Sequence, residues 1–255
     1  MPAQTHDLRE TSKRHPQSFI IETEIPGQLI LKFPADGRVR SRKVVTRSRS
    51  RRTGKYPSWK MHRMVQWESS NELIVYRVHD ADPSVIAFYD QPFEIHYFLD
   101  GEWHVHYPDI LVRRCSELAV EEVKEKDDAN SERVLRRTRF LRACLPRLGL
   151  VYRVVIVDKA EYKPALAYCS TVLKIGRTPV TVIERETARR SLEACPGLTW
   201  GSVADGALGK RGRNIVARLL LEGDIWVEDR AAPLTPDTAL RWSHRPASTV
   251  EHRAA

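Results

Sequence analysis

Asp109 follows Tyr107-Pro108, and thirteen residues beyond it stand Glu122, Val123 and Lys124. On a strand, side chains two positions apart share a face, so Glu122 and Lys124 would point one way while Val123 packs into a core. A chain that turns back between 109 and 122 then gathers two carboxylates and one amine on a single sheet surface. Phosphodiester hydrolysis needs such a set. Hard oxygen ligands hold Mg²⁺, which polarises the phosphoryl oxygen and acidifies a bound water, and a nearby cation steadies the developing negative charge. Asp109 and Glu122 are the expected metal ligands, with Mn²⁺ expected to substitute for Mg²⁺. Lys124 would orient or deprotonate the water, or stabilise the transition state. The same stretch, Glu121 to Lys126, also reads as an ordinary charged strand.

Three further groups lie around this set. Glu68 and Glu72 are four residues apart, one helical turn, where like charges are mildly destabilising. Either suits a solvated surface, or a helix preceding the sheet could aim one of them at the Asp109/Glu122 pair. Gln91, before Pro92, stands either at a strand end capped by proline, or where it would position the active-site loop or touch DNA. His104 and His106 differ in parity from Asp109, so on one continuous strand they face away from the metal. The two histidines alone do not suggest a zinc site.

The elements that must position these residues can be read from pattern. Ser18 to Ile21 and Gln28 to Phe33 are expected strands around the Pro26-Gly27 turn. Trp67 to His79 is an expected helix, stopped by Asp80, Asp82 and Pro83. Strands are expected at Val85 to Phe93, Glu94 to Leu99 and Glu102 to Arg113, the last two joined by a hairpin at Asp100-Gly101. Leu118 to Lys124 reads as another strand, Asn130 to Leu148 as a helix ending at Gly149, and Val151 to Val157 as a buried central strand. The fold class is α/β, a mixed sheet flanked by helices. Beyond about residue 160 helical patterns dominate, at Pro164 to Lys174, Val180 to Ala194, Trp200 to Leu208 and Arg213 to Glu222. A short β-wing at Ile225 to Val227 completes the outline of a smaller C-terminal winged-helix-like domain. Residues 1–162 and 163–255 are the expected domains. Lys210, Arg211 and Arg213, at the start of the last helix, suit phosphate contacts or plain solvation.

Charge is distributed unevenly. Of a net +9 over 255 residues, residues 1–60 contribute all, with 14 basic and 5 acidic side chains. Between residues 38 and 60 stand ten Arg or Lys and no acid, a local field that a polyanion would feel. Arg38, Arg40, Arg42, Lys43, Arg47, Arg49, Arg51, Arg52 and Lys55 are the expected DNA contacts, either on an extended strand or along a solvated tail. Val44, Val45 and the Tyr56-Pro57-Ser58-Trp59 cluster favour an anchored segment. No run approaches the roughly 20 apolar residues of a membrane span, and the polar N-terminus does not read as an export signal. The expected location is the cytoplasm. The four cysteines, 25 to 29 residues apart and with no CxxC pair, read as reduced and mostly buried.

Taken in order, Ser69-Ser70-Asn71-Glu72-Leu73, Asp82-Pro83-Ser84-Val85, Gln91-Pro92, His104 to Asp109 and Glu122-Val123-Lys124 resemble the TnsA-type transposon endonucleases. These belong to the PD-(D/E)xK restriction-endonuclease-like nucleases, and Gly54 to Ser58 is similar to the segment before that family's first helix. The resemblance covers about residues 38 to 160 and implies a restriction-endonuclease-like fold with Glu72, Asp109, Glu122 and Lys124 at the catalytic positions. Glu72, which follows the Ser-Ser-x pattern, is preferred to Glu68 as a third metal ligand. It further implies a nuclease that cuts DNA at a transposon's 5′ ends beside a DDE-type, TnsB-like transposase, under a TnsC-like AAA+ ATPase that contacts its C-terminal domain. Two other readings of the same residues are a free-standing restriction-like nuclease or junction resolvase, and a non-catalytic winged-helix DNA-binding regulator.

Overall fold

The computed structural model describes residues 15–34, 38–41 and 53–243. They divide into two compact units, one holding residues up to 76 together with 85–159, the other 77–84 and 160–243.

The first unit is built on two four-stranded sheets and a separate hairpin. Strands β1 (Glu24–Ile25), β2 (Leu29–Lys32), β6 (Glu94–Leu99) and β7 (Glu102–His106) form an antiparallel sheet in the order β1-β2-β6-β7. Strands β5 (Val85–Asp90), β8 (Ile110–Arg114), β9 (Leu118–Lys124) and β10 (Val151–Ile156) form a mixed sheet, ordered β10-β9-β8-β5, in which only β9 and β10 run parallel. Strands β3 (Gly54–Ser58) and β4 (Arg63–Trp67) make the hairpin. Its first residue is crowded, since a Cβ at Gly54 would meet the Trp67 ring at 2.4 Å.

Several expected boundaries move. The run from Glu102 to Arg113 is two strands rather than one, because Pro108 offers no N–H to a ladder and the chain changes sheets across 107–109. The first β-run is a 3₁₀ turn at Pro16–Phe19, and the strand entering the Pro26-Gly27 turn is Glu24–Ile25. Helix α1 spans Ser70–Ala81, later than expected, because Trp67 pairs with Gly54 at the end of β4. The expected central strand, β10, lies at an end of its sheet with Val151 and Ile156 exposed. Its β-branched composition reports strand propensity and not depth in the sheet.

Between β9 and β10 come the short α2 (Lys126–Ala129) and α3 (Glu132–Cys144), followed by a 3₁₀ turn that Gly149 closes at φ +73°. Thr138, Leu141 and Cys144 form the buried side of α3, which packs on β10. The core of this unit centres on Phe88, Tyr89, Phe93, Ile95, Ile110 and Leu111, all fully buried.

The second unit contains α4 (Lys159–Ile175), with Pro164 inside it, α5 (Val182–Ala194), α6 (Trp200–Ala204) and α7 (Gly212–Glu222). Helix α5 begins at a reciprocal cap between Thr181 and Glu184. Helix α7 leads through Gly223 into β11 (Ile225–Trp226), which pairs antiparallel with β12 (Arg241–Trp242). Arg211 is held by Glu184 at 2.7 Å, and the Arg213 guanidinium lies over the Trp200 ring. No helix among the described residues is long and apolar enough to cross a membrane.

Candidate active site

Asp109 sits in the break between β7 and β8, directly before Ile110. That neighbour pairs with Glu121 on one side and Asp90 on the other, so the aspartate lies where β5, β8 and β9 meet. Its Oδ2 accepts a hydrogen bond of 2.7 Å from the Val123 N–H, which fixes it beside the Glu122-Val123-Lys124 run. Glu122 and Lys124 share a face as their strand spacing requires, with Lys124 Nζ 2.7 Å from Glu122 Oε1.

Two groups outside the expected set join Glu122. Arg137, on α3, places Nη2 3.0 Å from Oε1. His106, the last residue of β7, places Nε2 2.9 Å from Oε2, with both atoms buried. The parity argument that turned His106 away from the site assumed a continuous strand. The break at Tyr107-Pro108 separates its facing from that of Asp109. Arg137 left no signal in the motif because its contact is made across the fold.

The electrostatics follow from burial and from these neighbours. Burial raises the pKa of Asp109 well above its ordinary value, and the charges of Glu122 and Glu72 add to the effect against the opposing Lys124. Burial also works against ionised Glu122, yet His106, Lys124 and Arg137 outweigh it and hold its pKa down to about 2. Burial keeps His106 below the ordinary imidazole value, so near neutral pH the ring is uncharged. At neutral pH Lys124 and Arg137 are then the full positive charges beside Glu122. Burial opposes the Lys124 ammonium, but Glu122 and Asp109 prevail and raise its pKa. Lys124 is therefore a cation at neutral pH.

Glu72 occupies the first turn of α1. Its Oε2 accepts from the Glu68 N–H at 2.9 Å and its Oε1 from the Ser69 hydroxyl at 3.0 Å, while Ser69 Oγ accepts from the Glu72 N–H at 3.1 Å. This reciprocal arrangement caps the helix. Tyr76 stacks on Phe88 of β5 and holds that turn against the mixed sheet. Burial raises the pKa of Glu72, and the Lys124 charge reaches it.

A hard divalent cation fits part of this set. Glu122 Oε2 is a buried oxygen without a hydrogen bond, and Asp109 is an acid whose ionisation a cation would favour. Among the described residues no three His, Cys, Asp or Glu side chains stand close enough to hold a metal by themselves.

The expected DNA contacts divide three ways. Arg42, Lys43, Arg47, Arg49, Arg51 and Arg52 lie outside the described residues. Arg38 and Lys55 are exposed. Arg40 is largely buried in an ion pair with the fully buried Asp90, which also takes Arg63 at 2.7 Å and the Gln66 N–H at 3.2 Å. Gln91 is buried at φ +44°, and its backbone ties the site together. Its N–H donates to the Asp109 carbonyl at 3.0 Å, and its carbonyl accepts from the Ser41 N–H at 2.9 Å and hydroxyl at 3.1 Å.

Residues 82–156 match a family model described as TnsA-like endonuclease N terminal. The match encloses Asp109, Glu122, Lys124, His106 and Arg137, and leaves Glu72 and the basic segment outside it. It supports a nuclease related to transposition. A search of curated proteins finds no match for the chain.

Proposed function

We propose that the protein is a Mg²⁺-dependent DNA endonuclease of the PD-(D/E)xK type, the subunit of a heteromeric transposase that hydrolyses phosphodiester bonds at the 5′ ends of a transposon. The observation that carries this reading is the convergence of Asp109, Glu122 and Lys124 at one corner of the mixed sheet, inside the segment matched by the TnsA-like endonuclease model.

Asp109 and Oε2 of Glu122 would hold the cation, with Glu72 adding negative charge from the first turn of α1. When bound there, Mg²⁺ supplies Lewis-acid polarisation of a phosphoryl oxygen and a more acidic water. The protein's own contribution is electrostatic and positional. Lys124, kept protonated by Glu122 and Asp109, offers an ammonium to the oxygen on which charge develops. Glu122 fixes the lysine's direction through the 2.7 Å contact. Gln91 holds the Asp109 backbone through its N–H.

A site rich in carboxylates repels phosphate, so a separate cationic surface must retain the DNA. The charge between residues 38 and 60 suits that role, with Arg38 and Lys55 exposed to contribute. The helices and β-pair of residues 163–255 would form a winged-helix-like domain for DNA or protein. The partners are transposon-end DNA, a TnsB-like DDE transposase and a TnsC-like AAA+ ATPase.

Cleavage of a duplex carrying the transposon end, with Mg²⁺ and the partner transposase, tests the reading. Asp109→Ala and Lys124→Ala should abolish the 5′-end cut while leaving DNA binding intact. Normal cutting by either variant sinks the assignment. Efficient cutting by the protein alone would point to a free-standing nuclease.

A further inference from the structure

Arg137 enters the site from outside the strand pair that carries the motif. Its side chain is 11% exposed, and Glu122 is its ion-pair partner among the described residues. A guanidinium buried this far is stable only where its charge is matched, and removing the match leaves an uncompensated ion. The helix that carries it cannot readily swing, because Thr138, Leu141 and Cys144 pack it onto β10. In register, Val154 of β10 stands beside Glu122 of β9, so Arg137 reaches across the sheet's last strand to the carboxylate.

Oε1 of Glu122 is thereby held between two cations of different origin, Arg137 from the helix at 3.0 Å and Lys124 from its own strand at 2.7 Å. The terminal torsion of a glutamate is broad and sets no direction by itself. With Arg137 in place, one oxygen is fixed and the other is turned toward His106.

We propose that Arg137 is a positioning residue of the nuclease centre, gripping Glu122 from α3 so that the carboxylate aims Lys124 at the scissile phosphate. The inference rests on the nuclease reading above. Arg137 acts through Glu122, the carboxylate its guanidinium meets at 3.0 Å, and the DNA Kd separates this from a direct contact with substrate. Lysine would restore the charge without the planar fork that fixes the carboxylate.

The test uses the full-length chain in the transposon-end cleavage assay, with Arg137→Met, Arg137→Lys, Glu122→Gln and the Arg137→Met/Glu122→Gln pair, each checked for cooperative unfolding. Arg137→Met should lower kcat about 10- to 100-fold, the scale of a misplaced catalytic group, with KM and the DNA Kd within about twofold. Arg137→Lys should recover part of that decrease. In the Glu122→Gln background, Arg137→Met should add less than about twofold, since both changes remove one interaction. If Arg137→Met does not fold, Arg137→Lys is read instead, with a smaller decrease in kcat that again vanishes beside Glu122→Gln. Unchanged kcat, a fall in DNA affinity in step with kcat, or effects that multiply in the double variant would each overturn the proposal while wild-type cutting upholds the nuclease reading. Wild-type protein that never cuts, with its partners and Mg²⁺ present, overturns both.

Discussion

Nζ of Lys124 lies 2.7 Å from Oε1 of Glu122, two positions back on the same strand. The contact bears on the role proposed for this lysine in phosphodiester hydrolysis. Burial alone would favour a neutral amine, but Glu122 and Asp109 reverse that and raise the pKa. The ammonium persists through neutral pH, so under the proposed function Lys124 would stabilise charge and would not abstract a proton. Cleavage measured between about pH 6 and 9 should show no limb arising from deprotonation of this lysine. Lys124→Gln should lower kcat about 100- to 1000-fold, as when a preorganised charge donor is removed. Lys124→Arg should retain measurable activity, and an inactive arginine variant beside an active glutamine one would refute the electrostatic role.

Under the proposed function, Asp109 sets a metal-binding role against stability. Its folded pKa is raised by burial, then by Glu122 and Glu72. The folded protein therefore binds this proton more tightly than the unfolded chain does. Stability falls as pH rises from the unfolded value of about 3.9 through the raised folded value, and the penalty remains at neutral pH. Asp109→Asn keeps an acceptor for the Val123 N–H and removes the charge. In metal-free buffer at neutral pH it should melt higher than wild type, by about 2–4 °C for each kcal/mol relieved. Mg²⁺ should raise the melting temperature of the wild type and leave that of Asp109→Asn nearly unchanged. A variant that melts lower without metal contradicts the account.

Asp90 makes the opposite case, a buried carboxylate that is fully matched. Arg40, Arg63 and the Gln66 N–H all converge on it, and it precedes the Gln91 that tethers Asp109 and Ser41. Asp90→Ala leaves two guanidinium groups without their anion and should destabilise by about 3–5 kcal/mol in denaturant unfolding. Because Arg40 and Ser41 are bound to this corner, trypsin should cut after Arg38 or Arg40 faster in the variant. Equal rates would mean that Asp90 does not anchor that segment.

The parts of the site visible in the sequence are those set by local spacing. Strand periodicity over Leu118–Lys124 put Glu122 and Lys124 on one face, and β9 has those bounds. The Asp100-Gly101 hairpin likewise needs only neighbours. Contacts that depend on where elements cross were not legible. Arg137 meets Glu122 from a helix fifteen residues on, and amphipathic pattern says only which side of α3 is buried. His106 escapes the pattern for a different reason, because Tyr107-Pro108 breaks the strand on which parity depends. Arg40 looked like its basic neighbours, and only the fold reveals the acid that buries it.

Gln91 separates a backbone role from a DNA-contacting one. At φ +44° a side chain is strained, and glycine takes the same conformation without that penalty. Gln91→Gly should keep the bonds from its N–H to Asp109 and from Ser41 to its carbonyl, and leave both DNA affinity and kcat within about threefold. Gln91→Val should destabilise by about 1–2 kcal/mol, since β-branched residues resist this region. A glycine variant that folds normally but no longer binds DNA would return the side chain to the substrate surface.

The basic segment offers the last separation, between cations matched inside the fold and exposed cations that the proposed function assigns to DNA. Arg40 is matched by Asp90, whereas Arg38 and Lys55 are exposed. Each Arg or Lys that neutralises a phosphate steepens the fall of log K with log salt by about 0.9. Arg38→Glu with Lys55→Glu should therefore weaken binding of duplex DNA and flatten its salt dependence, without changing Mg²⁺ affinity measured by calorimetry. Reversal of Arg47, Arg49 and Arg51 should act in the same direction, and the two sets should add if they contact separate phosphates. Arg40→Ala should instead lower stability and change the salt slope little. An unchanged slope for the Arg47, Arg49 and Arg51 reversal would show that the charge excess of residues 38–60 is not what holds the DNA.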